Sequence, residues 1–142
     1  MPNESAKSAI VRQWVAKAED DYKLAAYVVT MGKAGPFIGV CFHAQQCVEK
    51  YIKALLVMHE VDFPKTHDIE RLIQLLPPTV FIPIAIPDQA LLTSYAVTAR
   101  YPGDDEPISQ ADTRQAMMVV RKVRKAARNL LPENVLLKHR QK

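Results

Sequence analysis

The feature that most constrains this chain is a three- and four-residue recurrence of apolar side chains. It runs along nearly the whole length and breaks only where prolines and glycines gather. Trp14, Ala18, Tyr22, Ala25, Ala26 and Val29 keep that step and predict one helix over about residues 5–31. Gly32-Lys33-Ala34-Gly35-Pro36 closes it, with glycine past the end and proline opening the next helix. Residues 37–59 repeat the pattern until Glu60-Val61-Asp62-Phe63-Pro64. Thr66 or Asp68 can cap a short third helix that ends at Leu76, before Pro77-Pro78. Residues 77–87 hold four prolines among Val80, Phe81, Ile82, Ile84 and Ile86. Repeated prolines exclude a regular helix, so this stretch predicts an apolar extended connector laid over the helices, with a short edge strand as the alternative. Asp88 is expected to cap a fourth helix reaching about Arg100, and residues 101–107 to turn the chain. Ser109-Gln110-Ala111-Asp112 is a capping box with Asp in the place of Glu or Gln, and opens a fifth helix to about Leu131. The expected architecture is all-α: an antiparallel bundle of about five helices over residues 5–132, with residues 133–142 as a frayed basic tail.

Size and composition agree with that architecture and exclude others. At 142 residues and 49% hydrophobic, the chain has the length of one domain and is too apolar for intrinsic disorder. No apolar run approaches the roughly 18 residues of a membrane-spanning helix, and Met1-Pro2-Asn3-Glu4-Ser5 lacks the basic-then-apolar order of a secretory signal. A cytoplasmic protein with no membrane association is therefore expected. Cys41 and Cys47 lie six residues apart, which on a helix separates their directions by about 120°. They can neither bridge nor share a metal, and are expected as small core residues in a reducing compartment.

Charge is distributed unevenly. Residues 1–108 hold ten Lys/Arg against thirteen Asp/Glu, whereas residues 109–142 hold nine against two. Such asymmetry points to an anionic partner for the C-terminal part. In the fifth helix Arg114, Arg121, Arg124, Lys125 and Arg128 project into one third of the circumference, Lys122 stands off that ridge, and Ala116, Val119, Val120, Val123, Ala127 and Leu130 cover the other side. The candidate partners of this patch are nucleic acid and an acidic protein. In the second helix Val40, Cys41, Ala44, Cys47, Val48, Tyr51, Ile52, Leu55 and Met58 form an apolar arc. His43, Gln46, Lys50 and Lys53 form one polar ridge, with Glu49 beside it. This ridge reads either as a solvated face with Glu49 and Lys53 as an i,i+4 pair, or as a groove for phosphate or a nucleotide. Arg100, beside Tyr101 and Pro102, either complements a helix dipole or recognises phosphate with its guanidinium fork. His43, His59, His67 and His139 have no metal-ligand spacing, no Glu has a His three residues later, and neither a Gly-x-Ser-x-Gly elbow nor a glycine-rich phosphate loop is present. No metal or cofactor is expected.

Four segments match a known pattern: Trp14-x-x-x-Ala18-x-x-Asp21, the run Phe42-His43-Ala44-Gln45-Gln46-Cys47-Val48-Glu49-Lys50-Tyr51-Ile52-Lys53-Ala54-Leu55-Leu56, Thr66-His67-Asp68-Ile69 and Ala99-Arg100-Tyr101-Pro102. In these residues and their order the chain resembles the HEPN domain, the higher eukaryote and prokaryote nucleotide-binding domain. The resemblance implies a bundle of about five helices, commonly a homodimer, often encoded beside a minimal nucleotidyltransferase and in some members the toxin of a toxin–antitoxin pair. The ribonuclease branches carry an Arg followed four to six residues later by His, paired across the dimer. Carried over, Arg100 would be that arginine, but positions 104–106 are Asp, Asp and Glu, and the next histidine is His139. Without an imidazole there, attack by a 2′-hydroxyl lacks its usual base or acid, and carboxylates repel phosphate. The resemblance thus implies a non-catalytic nucleotide- or RNA-binding module whose ligand surface is formed by His43, Gln46, Lys50, Lys53, Arg100 and Tyr101. One alternative is a ribonuclease using Arg100 with His43 or His67, although His67 also reads as a loop residue oriented by Asp68. The other is an antitoxin-like structural partner that docks its fifth helix on an acidic protein.

Overall fold

A computed structural model describes residues 5–96 and 107–136. Within them the chain forms α1 (Ala6–Val29), α2 (Phe37–Met58), α3 (Ile69–Gln74), α4 (Ile86–Ser94) and α5 (Gln110–Leu130), with single 3-10 turns at Gly32–Ala34 and Glu133–Val135 and no strand among the described residues. The expected all-α bundle of about five helices is what the described residues adopt.

α2 is the central element. Its predicted apolar arc is buried from Val40 to Leu55, and Ala54, Leu56 and Gln45 are fully buried as well. A helix covered on so much of its circumference must be enclosed by neighbours. α1 and α5 provide the largest of these contacts, and α3 and α4 pack together over part of the remainder. α1 contributes Val11, Val15, Ala18 and Ala25, and α5 contributes Ala116, Met117, Val119, Val120, Val123 and Ala127. Cys41 and Cys47 are free and buried in this core. Burial pushes the Cys41 thiol up to about 11 and the Cys47 thiol well above its ordinary value, so both act as small apolar residues.

Local chemistry sets the helix boundaries. The Ser5 hydroxyl accepts from Ser8 N and caps α1. Gly32 takes a left-handed φ of 58° where the chain turns away from α1. Gly35 permits a close approach, because a Cβ there would lie 3.0 Å from the Val28 carbonyl oxygen. α2 ends in a Schellman arrangement: Val61 N donates to Leu56 O and Glu60 N to Val57 O, with Glu60 in the left-handed position that glycine usually fills. Asp68, rather than Thr66, caps α3 by accepting from Arg71 N. Ser109 and Asp112 cap α5 reciprocally, as the capping box predicts.

Three expectations are corrected. α4 begins at Ile86, with Ala85 as its cap and Pro87 in the first turn, so Asp88 does not cap it. Asp88 instead accepts from the Gln115 side chain at 3.2 Å and links α4 to α5. α3 stops at Gln74, two residues early, because the carbonyls of Leu72 and Ile73 are already taken by the turn toward Pro77. The segment after Pro132 is not frayed at its start: Val135 is fully buried, and Asn134 O accepts from Arg12 Nη2 of α1 at 2.7 Å, so the packed bundle reaches Leu136. Between α3 and α4 the connector is extended as expected. Val80, Ile82 and Ile84 alternate inward, while Phe81 and Pro83 face out.

Candidate functional site

Three carboxylates, none of them on the outer surface, organise the polar side chains of the bundle. Glu19 on α1 is 7% exposed and receives two hydrogen bonds from Arg124 of α5, Nε at 2.7 Å and Nη2 at 2.8 Å. This is the bidentate fork that guanidinium and carboxylate form best. The Tyr51 hydroxyl of α2 donates to the same carboxylate, and Arg128 Nη1 donates to the Tyr51 oxygen at 3.2 Å. One acid thereby ties together all three long helices. Burial alone would push the Glu19 carboxyl up. The hydrogen bonds from Arg124 and Tyr51 and the charges of Arg124 and Arg128 outweigh it and hold Glu19 below its ordinary value. Burial pushes the Tyr51 phenol up, and its bond to Glu19 adds to that shift. The Arg124 guanidinium also lies 4.6 Å from the Tyr22 ring centroid, which adds a cation–π contact to the fork.

Asp21, two residues on, gathers a different set. His43 Nδ1 donates to its Oδ1 at 2.8 Å and Lys50 Nζ to its Oδ2 at 2.5 Å. Glu49 gathers the third. The Gln45 amide donates to it at 2.8 Å, Lys53 Nζ at 2.9 Å and His67 Nδ1 at 2.8 Å. Gln46 donates to Gln45 Oε1 at 2.6 Å and continues this network along α2. Lys53 is 6% exposed, with its ammonium 5.5 Å from the Trp14 ring centroid and 5.8 Å from that of Phe63. Among the described residues, every buried side-chain nitrogen or oxygen has a hydrogen-bond partner.

The ridge His43, Gln46, Lys50 and Lys53 is therefore one row on α2 but two clusters in space. It is not a freely solvated face: Lys53 is buried, His43, Gln46 and Lys50 are half-buried, and the expected Glu49–Lys53 pair forms in a buried seam rather than in water. The sequence reading did not assign Glu19, Gln45 or the Tyr51 hydroxyl to the polar network. The visible signal was the acidic run Glu19-Asp20-Asp21 in a helix whose neighbouring turns face the core, since a carboxylate there must be paired. The basic row of α5 also divides. Arg124 and Arg128 turn inward to Glu19 and Tyr51, whereas Arg114, Arg121, Lys122 and Lys125 are exposed. Arg114 and Arg121 flank a hollow of about 220 Å³ between α1 and α5, completed by Val29, Thr113 and Met117. A second hollow of similar volume lies on α1 against Ile10, Gln13, Trp14 and Lys17.

The HEPN domain family matches residues 11–130 of the chain. The chain belongs to the HEPN family. No curated protein and no solved structure matches it. Arg100 and Tyr101 of the HEPN-like segment after α4 lie outside the described residues, as does His139. His43 and His67 stand on separate carboxylates, Asp21 and Glu49, and each is held through Nδ1. Among the described residues, no cluster of His, Cys, Asp or Glu has the geometry to hold a metal ion, and no helix is long and apolar enough to cross a membrane.

Proposed function

We propose that this HEPN domain is a non-catalytic module that binds RNA or nucleotide, acts as a homodimer, and works beside a minimal nucleotidyltransferase in a toxin–antitoxin-like pair. The observation that carries the binding reading is the outer face of α5. Arg114, Arg121, Lys122 and Lys125 are exposed there, and none of them meets a carboxylate among the described residues. A solvated helix ordinarily mixes signs, and a row of free cations attracts a polyanion. Against catalysis stand the acids at positions 104–106, where the ribonuclease branches of the family place histidine.

Anisotropy of a labelled single-stranded RNA, titrated with the full chain at low and at physiological salt, tests the reading. Binding should weaken steeply with salt, because phosphate neutralisation releases counterions. The RNA should remain intact on a denaturing gel, and the nucleotidyltransferase should copurify. Absence of binding at low salt would sink the proposal.

A second reading, a ribonuclease built on Arg100 with His43 or His67, gains support from the Asp21–His43 and Glu49–His67 pairs. A carboxylate on Nδ1 fixes the tautomer and leaves Nε2 as the proton acceptor. Cleavage abolished by both Arg100→Ala and His43→Gln, or by Arg100→Ala and His67→Gln, would establish this reading in place of the first.

A further inference from the structure

We propose that the hollow between α1 and α5 is a specific subsite for a nucleoside carrying a phosphate on each side, either as a free nucleoside bisphosphate or as one internal unit of a single strand. The inference rests on the reading that the outer face of α5 binds RNA or nucleotide, and it adds where and in what form. Three observations support it. Arg114 and Arg121 are seven residues apart, a rise of about 10.5 Å along α5, and both line the same hollow. Two arginines thus line one cavity from positions about two helical turns apart, with no carboxylate between them in sequence. Val29 of α1 and Met117 of α5 line the same hollow and give it an apolar surface that suits the face of a base, and the methionine sulfur is polarizable. Thr113, which also lines the hollow, donates its hydroxyl proton to Gln110 O at 2.6 Å, so the lone pairs of that oxygen are what it can offer a base N–H.

The volume sharpens the choice of ligand. At about 220 Å³ the hollow is smaller than the roughly 300–1,000 Å³ of sites that enclose a drug-sized molecule. It has room for about one base with its sugar, which sets the flanking phosphates at its rim beside the two lining arginines. An acidic helix docking on the same face would insert one aliphatic side chain and leave much of the space empty, an arrangement that close-packed interfaces avoid.

The test titrates the full chain with adenosine 3′,5′-bisphosphate, and separately with single-stranded oligoadenylate, at low salt. Arg114→Gln and Arg121→Gln should each weaken binding of both probes by about tenfold, as loss of one charge-assisted fork on a phosphate predicts. Lys122→Gln, outside the hollow, should change it less than about threefold. Val29→Trp, which fills the hollow, should abolish bisphosphate binding, and thermal melts should show the arginine variants folded. Bisphosphate binding as tight as that of the oligomer identifies the free nucleotide as the ligand. Much tighter binding of the oligomer identifies the strand. If the oligomer binds and all the cation variants weaken it equally, or Val29→Trp leaves both probes bound, the subsite is overturned while RNA binding stands. If an acidic amphipathic peptide binds and oligoadenylate does not, both readings fail.

Discussion

On the inner face of α5, Arg124 and Arg128 reach Glu19 and Tyr51; on its outer face, Arg114 and Arg121 flank an open hollow and meet no carboxylate among the described residues. The side chain is the same, and so are the helix and the surrounding sequence composition. What differs is the neighbour. α1 brings Glu19 against one side of α5, and at the hollow on the other it brings the apolar Val29. A basic ridge read from one helix thus separates into a structural half and a half that faces solvent, according to what the adjacent helix carries.

The largest effect that can break this comparison comes from Glu19. Glu19→Ala leaves Arg124 and the Tyr51 hydroxyl turned toward a site that has lost its acceptor. Breaking a buried pair costs about 3–5 kcal/mol; because Arg124 retains 26% side-chain exposure, about 2–4 kcal/mol is expected in urea unfolding. Replacing both partners, as in Glu19→Leu with Arg124→Met, should recover most of that loss, since an apolar pair leaves nothing unpaired. A loss below about 0.5 kcal/mol for Glu19→Ala would mean that the inner and outer arginines are equivalent after all.

The same pair fixes a pH dependence. The folded protein holds the Glu19 carboxyl below its ordinary value, so this group contributes stability that is present above the ordinary carboxylate range and is lost as pH falls through the lowered folded value. Unfolding of the native chain and of Glu19→Gln, followed from pH 7 downward, should show a gap that is constant near neutrality and closes only in acid. A gap that closes near pH 6–7 would implicate a histidine, and the clamp would not be the cause.

The reason α5 misleads when read alone also explains how much of the molecule was legible. Helix extents follow from local chemistry: the Ser109–Asp112 box, the Asp68 cap and the Gly32 turn each act within a few residues, so their positions are visible in the chain. The apolar arc of α2 was equally visible, because periodicity is a property of one helix. The polar clusters were not. Glu19 meets Arg124 across 105 residues and Lys50 meets Asp21 across 29, and no single-helix projection contains such a pairing. Asp88 failed as a cap for a related reason: Pro87 favours the first turn of a helix, so the start moved upstream and freed the carboxylate for Gln115. Val135 reads as tail because Pro132 ends α5 and a basic stretch follows, whereas its burial is supplied by α1.

Lys53 gives a smaller effect and extends the contrast to α2. Its ammonium is held by Glu49 and lies over Trp14 and Phe63, so Lys53→Met keeps the apolar stem and removes one charged hydrogen bond from a carboxylate that retains Gln45 and His67. A loss of about 1–2 kcal/mol is expected, accompanied by a change in the emission of Trp14, the single tryptophan of the chain. No change in Trp14 emission would place the ammonium in solvent and remove Lys53 from the buried seam.

The smallest stability effect is expected on the outer face of α5. Arg114→Gln and Arg121→Gln remove exposed charges that contact no carboxylate, so unfolding free energy should stay within about 0.5 kcal/mol of the native chain. Removing like charges seven residues apart can even stabilise α5 slightly, because nothing on that face compensates them. The comparison between the two faces is sharpest when one helix yields both results. Glu19→Ala lowers stability, and RNA binding of the fraction still folded is retained. Arg121→Gln lowers RNA binding and leaves stability unchanged. If Arg121→Gln instead destabilised the fold by more than about 1 kcal/mol, the outer arginines would have structural partners of their own, and the division of α5 into two faces would fail.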